Sequence, residues 1–304
     1  MVLIFLYSMY LPAVVSVYNY FINKELFDQL ILESKPLPIE FGYGIYHIQF
    51  SILLASSCIL GLFVLLKAKF LALTKTEQLI GLFLVSVNFI CIHILGARTG
   101  LLSLYLGFLF LALIEFGTLN KKMKIGAVLG AVLIPILAYT FSNSLRNRIH
   151  NTLIDFNVAW EGKDANDYSF ALRLQAWKNA KDVISKHPIL GVGIGDADSV
   201  LYANFYSVNP TINAVNRKNP HFQFLESSVQ SGIISGILFL MILLFSIYYT
   251  FKSNSLIGAI AIMLLISSCF ESILERQASV IGFTVLMALA LTITQRLQSK
   301  ATKN

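Results

Sequence analysis

The chain is 304 residues long, 56% hydrophobic and only 13% charged, with a mean hydropathy of +0.71. Soluble domains carry about 25% charged residues, so this composition excludes an ordinary water-soluble core and makes the bilayer the solvent. In such a chain the net charge of +7 points to cytoplasmic loops and lipid head groups, and no nucleic-acid partner is implied. Cys58, Cys91 and Cys269 fall inside apolar runs; they read as small buried hydrophobes, with no disulfide framework and no metal spacing.

A bilayer-crossing helix needs about 20 apolar residues. Eight runs qualify, at about 2–22, 47–66, 78–96, 101–118, 125–141, 223–250, 255–270 and 278–294. Met1 leads straight into apolar residues with no basic leader region or small-residue cleavage site, so the first run reads as a span. The sixth run is too long for one crossing and is expected to begin as a helix above the bilayer. The expected fold is an all-α, polytopic integral membrane helical bundle of about eight transmembrane helices, with one long periplasmic loop containing amphipathic helices. It divides into amino-terminal spans (1–141), the loop (142–222), and carboxy-terminal spans with a cytoplasmic tail (223–304).

Orientation follows from Lys and Arg in short loops. Lys67, Lys69, Lys75, Lys121, Lys122, Lys124, Lys252, Arg296, Lys300 and Lys303 all fall on one side if the spans alternate. That side is the cytoplasm, and both termini lie on it. The segment 23–46, the turn at Arg98, the long loop and the turn Glu271–Gln277 then face outward.

The loop is the only long polar segment in the chain. Within it Leu172, Ala176, Ala180 and Val183 recur at helical spacing from Tyr168 to Lys186, with Trp177 beside them. Asp167 is the expected N-cap, and Pro188 and Gly191 the stop. Gly191, Gly193 and Gly195 alternate without forming G-x-G-x-x-G, since Asp196 fills the last position. They read as a helix stop and tight turn, or as a backbone that lets a phosphate or sugar approach closely.

The candidate chemistry is basic. Arg98, between two spans, and Arg173, one turn before Trp177, offer guanidinium forks that match phosphate oxygens, against the plainer readings of a snorkelling Arg and a solvated face. His221 follows Asn219-Pro220 where the chain re-enters the membrane, and can act as a base at the outer surface. His150 is a rival with nothing around it to define its setting. Glu226 and Gln230 lie one helical turn apart just beyond His221, where polar groups face a cavity or a partner. Glu271, Glu275 and Arg276 form the last outward cluster, which reads as ion pairing that holds the loop down. Asp196 and Asp198 alone are too little for a cation site, and no metal motif is present.

Together these residues resemble the O-antigen ligase and O-antigen polymerase superfamily. The resemblance rests on Ala97-Arg-Thr-Gly-Leu101, Arg173-Leu-Gln-Ala-Trp177, His187-Pro-Ile-Leu-Gly-Val-Gly-Ile-Gly195, Asn219-Pro-His-Phe-Gln-Phe-Leu-Glu226 and Gly232, over about residues 78–294. It implies a multi-pass protein of the bacterial inner membrane whose site faces the periplasm. Such a protein moves a glycan from an undecaprenyl-diphosphate carrier to an acceptor, lipid A-core or another glycan, without metal, cofactor or nucleotide sugar. Arg98 and Arg173 would hold the diphosphate and His221 would activate the acceptor hydroxyl. Trp177, Gly193, Gly195, Asn219, Gln223 and Glu226 would complete the substrate-binding set. Members commonly carry about a dozen spans, so amino-terminal helices are expected to be missing here. The family's usual His-Asn is His221-Phe222, with Asn219 before it. Ligase, polymerase and protein O-oligosaccharyltransferase share one site and differ in acceptor. A transporter of the same lipid-linked glycan would instead show paired broken helices and a midplane site, and no paired Gly/Pro interruptions are visible.

Reporter fusions check the orientation. A fusion at Lys163 is expected to report periplasm and one at Asn304 cytoplasm; a cytoplasmic signal at Lys163 would refute the arrangement.

Overall fold

A computed structural model describes residues 1–32, 47–117, 119, 121–141, 143–217, 219–253 and 255–301. The described residues form fourteen α-helices, with no strand among them. In order these are α1 (Val2–Ile22), α2 (Lys24–Leu32), α3 (His47–Leu66), α4 (Ala68–Leu71), α5 (Lys75–Leu95), α6 (Arg98–Glu115) and α7 (Lys121–Phe141). There follow α8 (Asn143–Glu161), α9 (Ser169–Lys186), α10 (Ala197–Val208), α11 (Gln223–Ser231), α12 (Ile233–Ser253), α13 (Ser255–Phe270) and α14 (Gln277–Ala301). Much of the expected outward segment 23–46, from residue 33 on, lies outside the described residues, as does Lys303.

Among the described residues six helices are long and apolar enough to cross a membrane: α1, α3, α5, α6, α12 and α14. The expected count of eight is shown only as far as these six. At 16 residues α13 is short for a full crossing. The expected fifth span falls in α7, several of whose side chains lie outside those described. The expected sixth run is two helices, because Gly232 breaks it with φ +85° between α11 and α12.

The bundle is built around α3, which packs against α1, α5, α6, α13 and α14. Fifteen of its twenty residues are buried, so no face is left for lipid. A hydrophobic helix in lipid gains nothing from burying more hydrocarbon, so close backbone approach and internal hydrogen bonds must hold such a bundle. Gly100 on α6 lets that helix press on α3: a Cβ there would stand 2.4 Å from Ser51 Oγ and 2.8 Å from its backbone carbonyl carbon. Asn88 on α5 donates to the Leu6 carbonyl of α1 at 3.2 Å and to Ser57 Oγ of α3 at 3.1 Å. At one end of the bundle, Lys67 Nζ meets Glu115 Oε2 at 2.5 Å and Ser255 Oγ donates to Glu115 Oε1, also at 2.5 Å. These contacts join the ends of α3 and α6 to the start of α13. The opposite end, where α3 begins and α13 finishes, carries the polar segment.

That segment is tied to the bundle by a backbone clamp. Val192 N donates to Val229 O at 2.8 Å, Gly193 N to Gln230 O at 2.9 Å, and Ile233 N to Pro188 O at 2.9 Å. The two segments of this clamp touch only because two residues lack side chains. A Cβ on Gly191 would lie 2.5 Å from Val229 O, and one on Gly232 would lie 2.0 Å from Ile189 O. Both glycines also have positive φ, which L-residues avoid. The aliphatic side chains of Ile189, Leu190 and Ile194 are left exposed beside exposed Ile233 and Ile234 at the head of α12.

The clamp makes Gly232→Ala costly. The substitution is expected to destabilise the protein by at least about 1 kcal/mol, since both backbone strain and a contact with main chain oppose it. Gly195→Ala, with open space around it, is expected to be neutral. Thermal unfolding of the two purified variants in detergent checks the contrast.

Candidate functional site

A cavity of about 580 Å³ opens at the polar end of the bundle. Its walls come from five pieces of chain: the first turn of α3, α9, α10, the residues Asn216, Arg217, Asn219 and His221, and the turn after α13. The periodicity of α9 determines what it contributes. Ser169, Leu172, Arg173 and Ala176 fall on one helical face and line the cavity. Farther along the same face of α9, Ala180 and Val183 pack with Ala197 and Leu201 of α10 and with Val229 of α11.

The amino terminus of α9 is held from outside itself. The expected cap, Asp167, is not used: the helix begins one residue later, and its N-cap Tyr168 makes no side-chain capping bond. Instead Asp155 of α8 accepts from Phe170 N at 3.3 Å and from Ser169 Oγ at 2.9 Å. Arg98 completes this knot, donating to Thr152 Oγ1 at 2.5 Å and to Ser169 Oγ at 3.1 Å. Arg98 therefore stands behind the cavity wall, one hydrogen bond from it through Ser169, and does not line the cavity itself.

Arg173 differs. Among the described residues it makes no hydrogen bond or ion pair, and it lines the cavity. Burial lowers its pKa; Glu271 and Asp155 oppose that shift, and the like charge of Arg98 adds to it. A guanidinium never comes near deprotonation at neutral pH, so Arg173 is a cation with unused donors.

His221 sits opposite on a strained backbone, with φ +48°. Such a conformation costs a non-glycine residue about 1 kcal/mol or more and persists only where its surroundings hold it. Its neighbours do so. The Trp177 indole N–H donates to the Pro220 carbonyl at 2.8 Å, and the Trp177 ring lies 5.2 Å from that of Phe222. Glu271 Oε1 then meets His221 Nδ1 at 2.9 Å. With Nδ1–H donated to the carboxylate, Nε2 keeps its lone pair. Burial pushes the Glu271 carboxyl up, but the hydrogen bond and charge of His221, the charge of Arg173 and the Ser272 N–H outweigh it. The net shift is downward, and Glu271 stays ionised.

The expected binding residues divide accordingly. Asn219 lines the cavity with Arg173 and His221. Trp177 and Gln223 act from behind: Gln223 Oε1 accepts from Leu274 N at 2.8 Å and so fixes the turn that carries Glu271. Glu226 is buried and accepts from Ser272 Oγ at 3.3 Å. Gly193 and Gly195 belong to the clamp and the turn after it, and His150 is exposed on α8; none of the three lines the cavity. The ion pairing expected of the Glu271 cluster with the loop takes the form of a hydrogen bond between Glu271 and His221, with Arg173 acting through charge alone.

Sequence reasoning passed over Gln49 and Arg217. Gln49, in the first turn of α3, is 2% exposed and lines the cavity, and its Oε1 has no hydrogen-bond partner among the described residues. A buried amide left unpaired costs about 1–3 kcal/mol. Arg217 stacks over Tyr206, its Cζ 3.7 Å from the ring centroid, and donates from Nε to the Ile212 carbonyl at 3.0 Å. Its Nη1 is buried without a partner. A lone glutamine opening an apolar run carries no motif that would have flagged it. Among the described residues no group of three His, Cys, Asp or Glu side chains could hold a metal ion.

The family model described as O-antigen ligase matches residues 80–240, more than half of the chain. An uncharacterized protein of Haemophilus influenzae is 27% identical over 161 residues, which is 52% of this chain. The match spans 40% of that relative's length.

Glu226 yields a prediction about pH. Burial raises its pKa to about 7, with further upward pushes from Glu275 and Asp198 that outweigh its hydrogen bonds to Ser272 and Gln230. The folded state thus binds this proton more tightly than the unfolded state does. The resulting stabilisation is complete below the ordinary carboxyl pKa of about 4.5 and is lost as pH rises through about 7. Glu226→Gln removes the carboxylate, so its melting temperature is expected to exceed that of the wild type at pH 8, with the difference vanishing near pH 4.5. Thermal unfolding across that range checks the crossover.

Proposed function

The chain belongs to the O-antigen ligase family, and on that premise we propose that it transfers a glycan from an undecaprenyl-diphosphate carrier to lipid A-core at the periplasmic face of the inner membrane. The observation that carries this reading is the juxtaposition of an uncommitted cation, Arg173, with the His221–Glu271 pair in one cavity at the bundle's end. A diphosphate leaving group needs positive charge more than it needs an acid. An attacking hydroxyl needs a base within hydrogen-bond reach. The cavity holds both.

In this mechanism Arg173 binds the diphosphate directly. Arg98 adds positive charge from behind and orients Ser169 at the wall. The acceptor hydroxyl gives its proton to His221 Nε2, while Glu271 holds the ring and stabilises the imidazolium that forms. The hydroxyl oxygen attacks the anomeric carbon as the bond to the diphosphate breaks. The electron pair leaves on the lipid diphosphate, and the configuration at the anomeric carbon inverts. Exposed Ile189, Leu190 and Ile194, clamped beside the apolar head of α12, support a loop resting on the bilayer surface where a lipid-anchored phosphate lies.

The test is glycan transfer in vitro by purified variants, with donor binding measured alongside. His221→Ala is expected to lose roughly 10²–10⁴-fold in turnover with donor binding retained. Arg173→Lys keeps the charge but not the planar fork, and is expected to lose at least about tenfold in donor affinity or turnover. Near-normal turnover in His221→Ala would remove it as the base.

A further inference from the structure

We infer that Gln49 and Arg217 form a saccharide subsite, separate from the diphosphate clamp, that grips the sugar ring carried on the donor's diphosphate. The inference rests on the transfer reading above and assigns to it residues that neither Arg173 nor the histidine pair explains.

The two residues approach the cavity from distant parts of the chain. Gln49 lies on α3, and outside the segment 80–240 that matches the family. Its amide is almost wholly buried, yet its oxygen accepts no hydrogen bond among the described residues. Ser51, Ser56 and Ser57 on the same helix all bond to backbone carbonyls of their own helix, a route that the Gln49 oxygen, an acceptor, does not have. An amide offers one acceptor and two donors. Arg217 is held in plane by the Tyr206 ring and by the Ile212 carbonyl, and its Nη1 remains unbonded. Tyr202, on the same cavity wall, adds an aromatic face.

This combination suits a sugar ring. Vicinal hydroxyls both donate and accept, matching the open amide oxygen of Gln49 and the open N–H groups of Arg217. An apolar ring face can lie on Tyr202. A phosphate, which only accepts, could use Arg217 but would leave the Gln49 oxygen unsatisfied. The sugar must also lie close to Arg173, because it is bonded to the phosphate that Arg173 holds. A volume of about 580 Å³ accommodates both groups.

The experiment compares the affinity of two ligands for full-length protein in nanodiscs: bare undecaprenyl diphosphate, and the lipid-linked glycan extracted from the producing cells. Gln49→Leu is expected to weaken binding of the glycan-bearing lipid about tenfold and leave bare undecaprenyl diphosphate unchanged. Arg217→Gln is expected to give the same pattern. Arg173→Lys should weaken both ligands. The melting temperature of Gln49→Leu should not fall, since the change removes an unpaired buried amide; a structural role for Gln49 would lower it. Equal losses for both ligands in either subsite variant, or no loss for the glycan-bearing lipid, overturn the subsite. If wild-type protein binds neither ligand, the transfer reading itself fails, an outcome distinct from loss of the subsite alone.

Discussion

The bond between His221 and Glu271 joins two walls of the cavity, and the rest of the site is arranged around it. It joins the end of the polar segment to the turn after α13, two pieces of chain separated by fifty residues. Each partner is prepared by other contacts. His221 reaches Glu271 from a left-handed backbone that Trp177 pins through Pro220, and Glu271 is carried on a turn whose Leu274 N–H is fixed by Gln223. Trp177 and Gln223, which do not line the cavity, thus hold in place the two side chains of this pair, which do. The strained φ of a non-glycine residue is consistent with a position held for chemistry rather than for folding.

The electrostatic arrangement is equally divided in labour. Arg98 spends its donors on Thr152 and Ser169, and Asp155 caps α9 from a neighbouring helix. Arg173 is thereby spared structural duty. One arginine builds the wall and the other remains available within it, although the sequence reading gave both the same role. A second cationic group near the membrane is easier to tolerate when an acid, here Asp155, stands beside both.

Much of the fold was legible in the chain itself. Long apolar runs identify α1, α3, α5, α6, α12 and α14, because lipid demands length and hydrophobicity in the same place. The excess length of the sixth run signalled that it begins above the bilayer, and α11 bears this out; what the sequence did not reveal is the cause of the break at Gly232, the approach of the Ile189 carbonyl. Asp167 failed as a cap for a similar reason: a competing carboxylate arrived on another helix. In the site, His221, Arg173 and Asn219 could be read from local motifs. Glu271 was visible as a charge in the right turn but with the wrong partner. Gln49 and Arg217 could not be read at all, because what distinguishes them is the absence of a partner in three dimensions.

The burial of α3 on every side bears on the order in which the protein is made. This helix leaves the ribosome before α5, α6, α13 and α14, the neighbours that will cover it. During that interval its polar side chains face lipid. The hydroxyls of Ser51, Ser56 and Ser57 are already bonded within the helix, to the carbonyls of Ile48, Ile52 and Leu54, so they need no neighbour to tolerate the wait. Gln49 has no such internal bond, but it stands in the first turn, near the water interface, where a nascent segment can leave an amide hydrated until the last helices arrive.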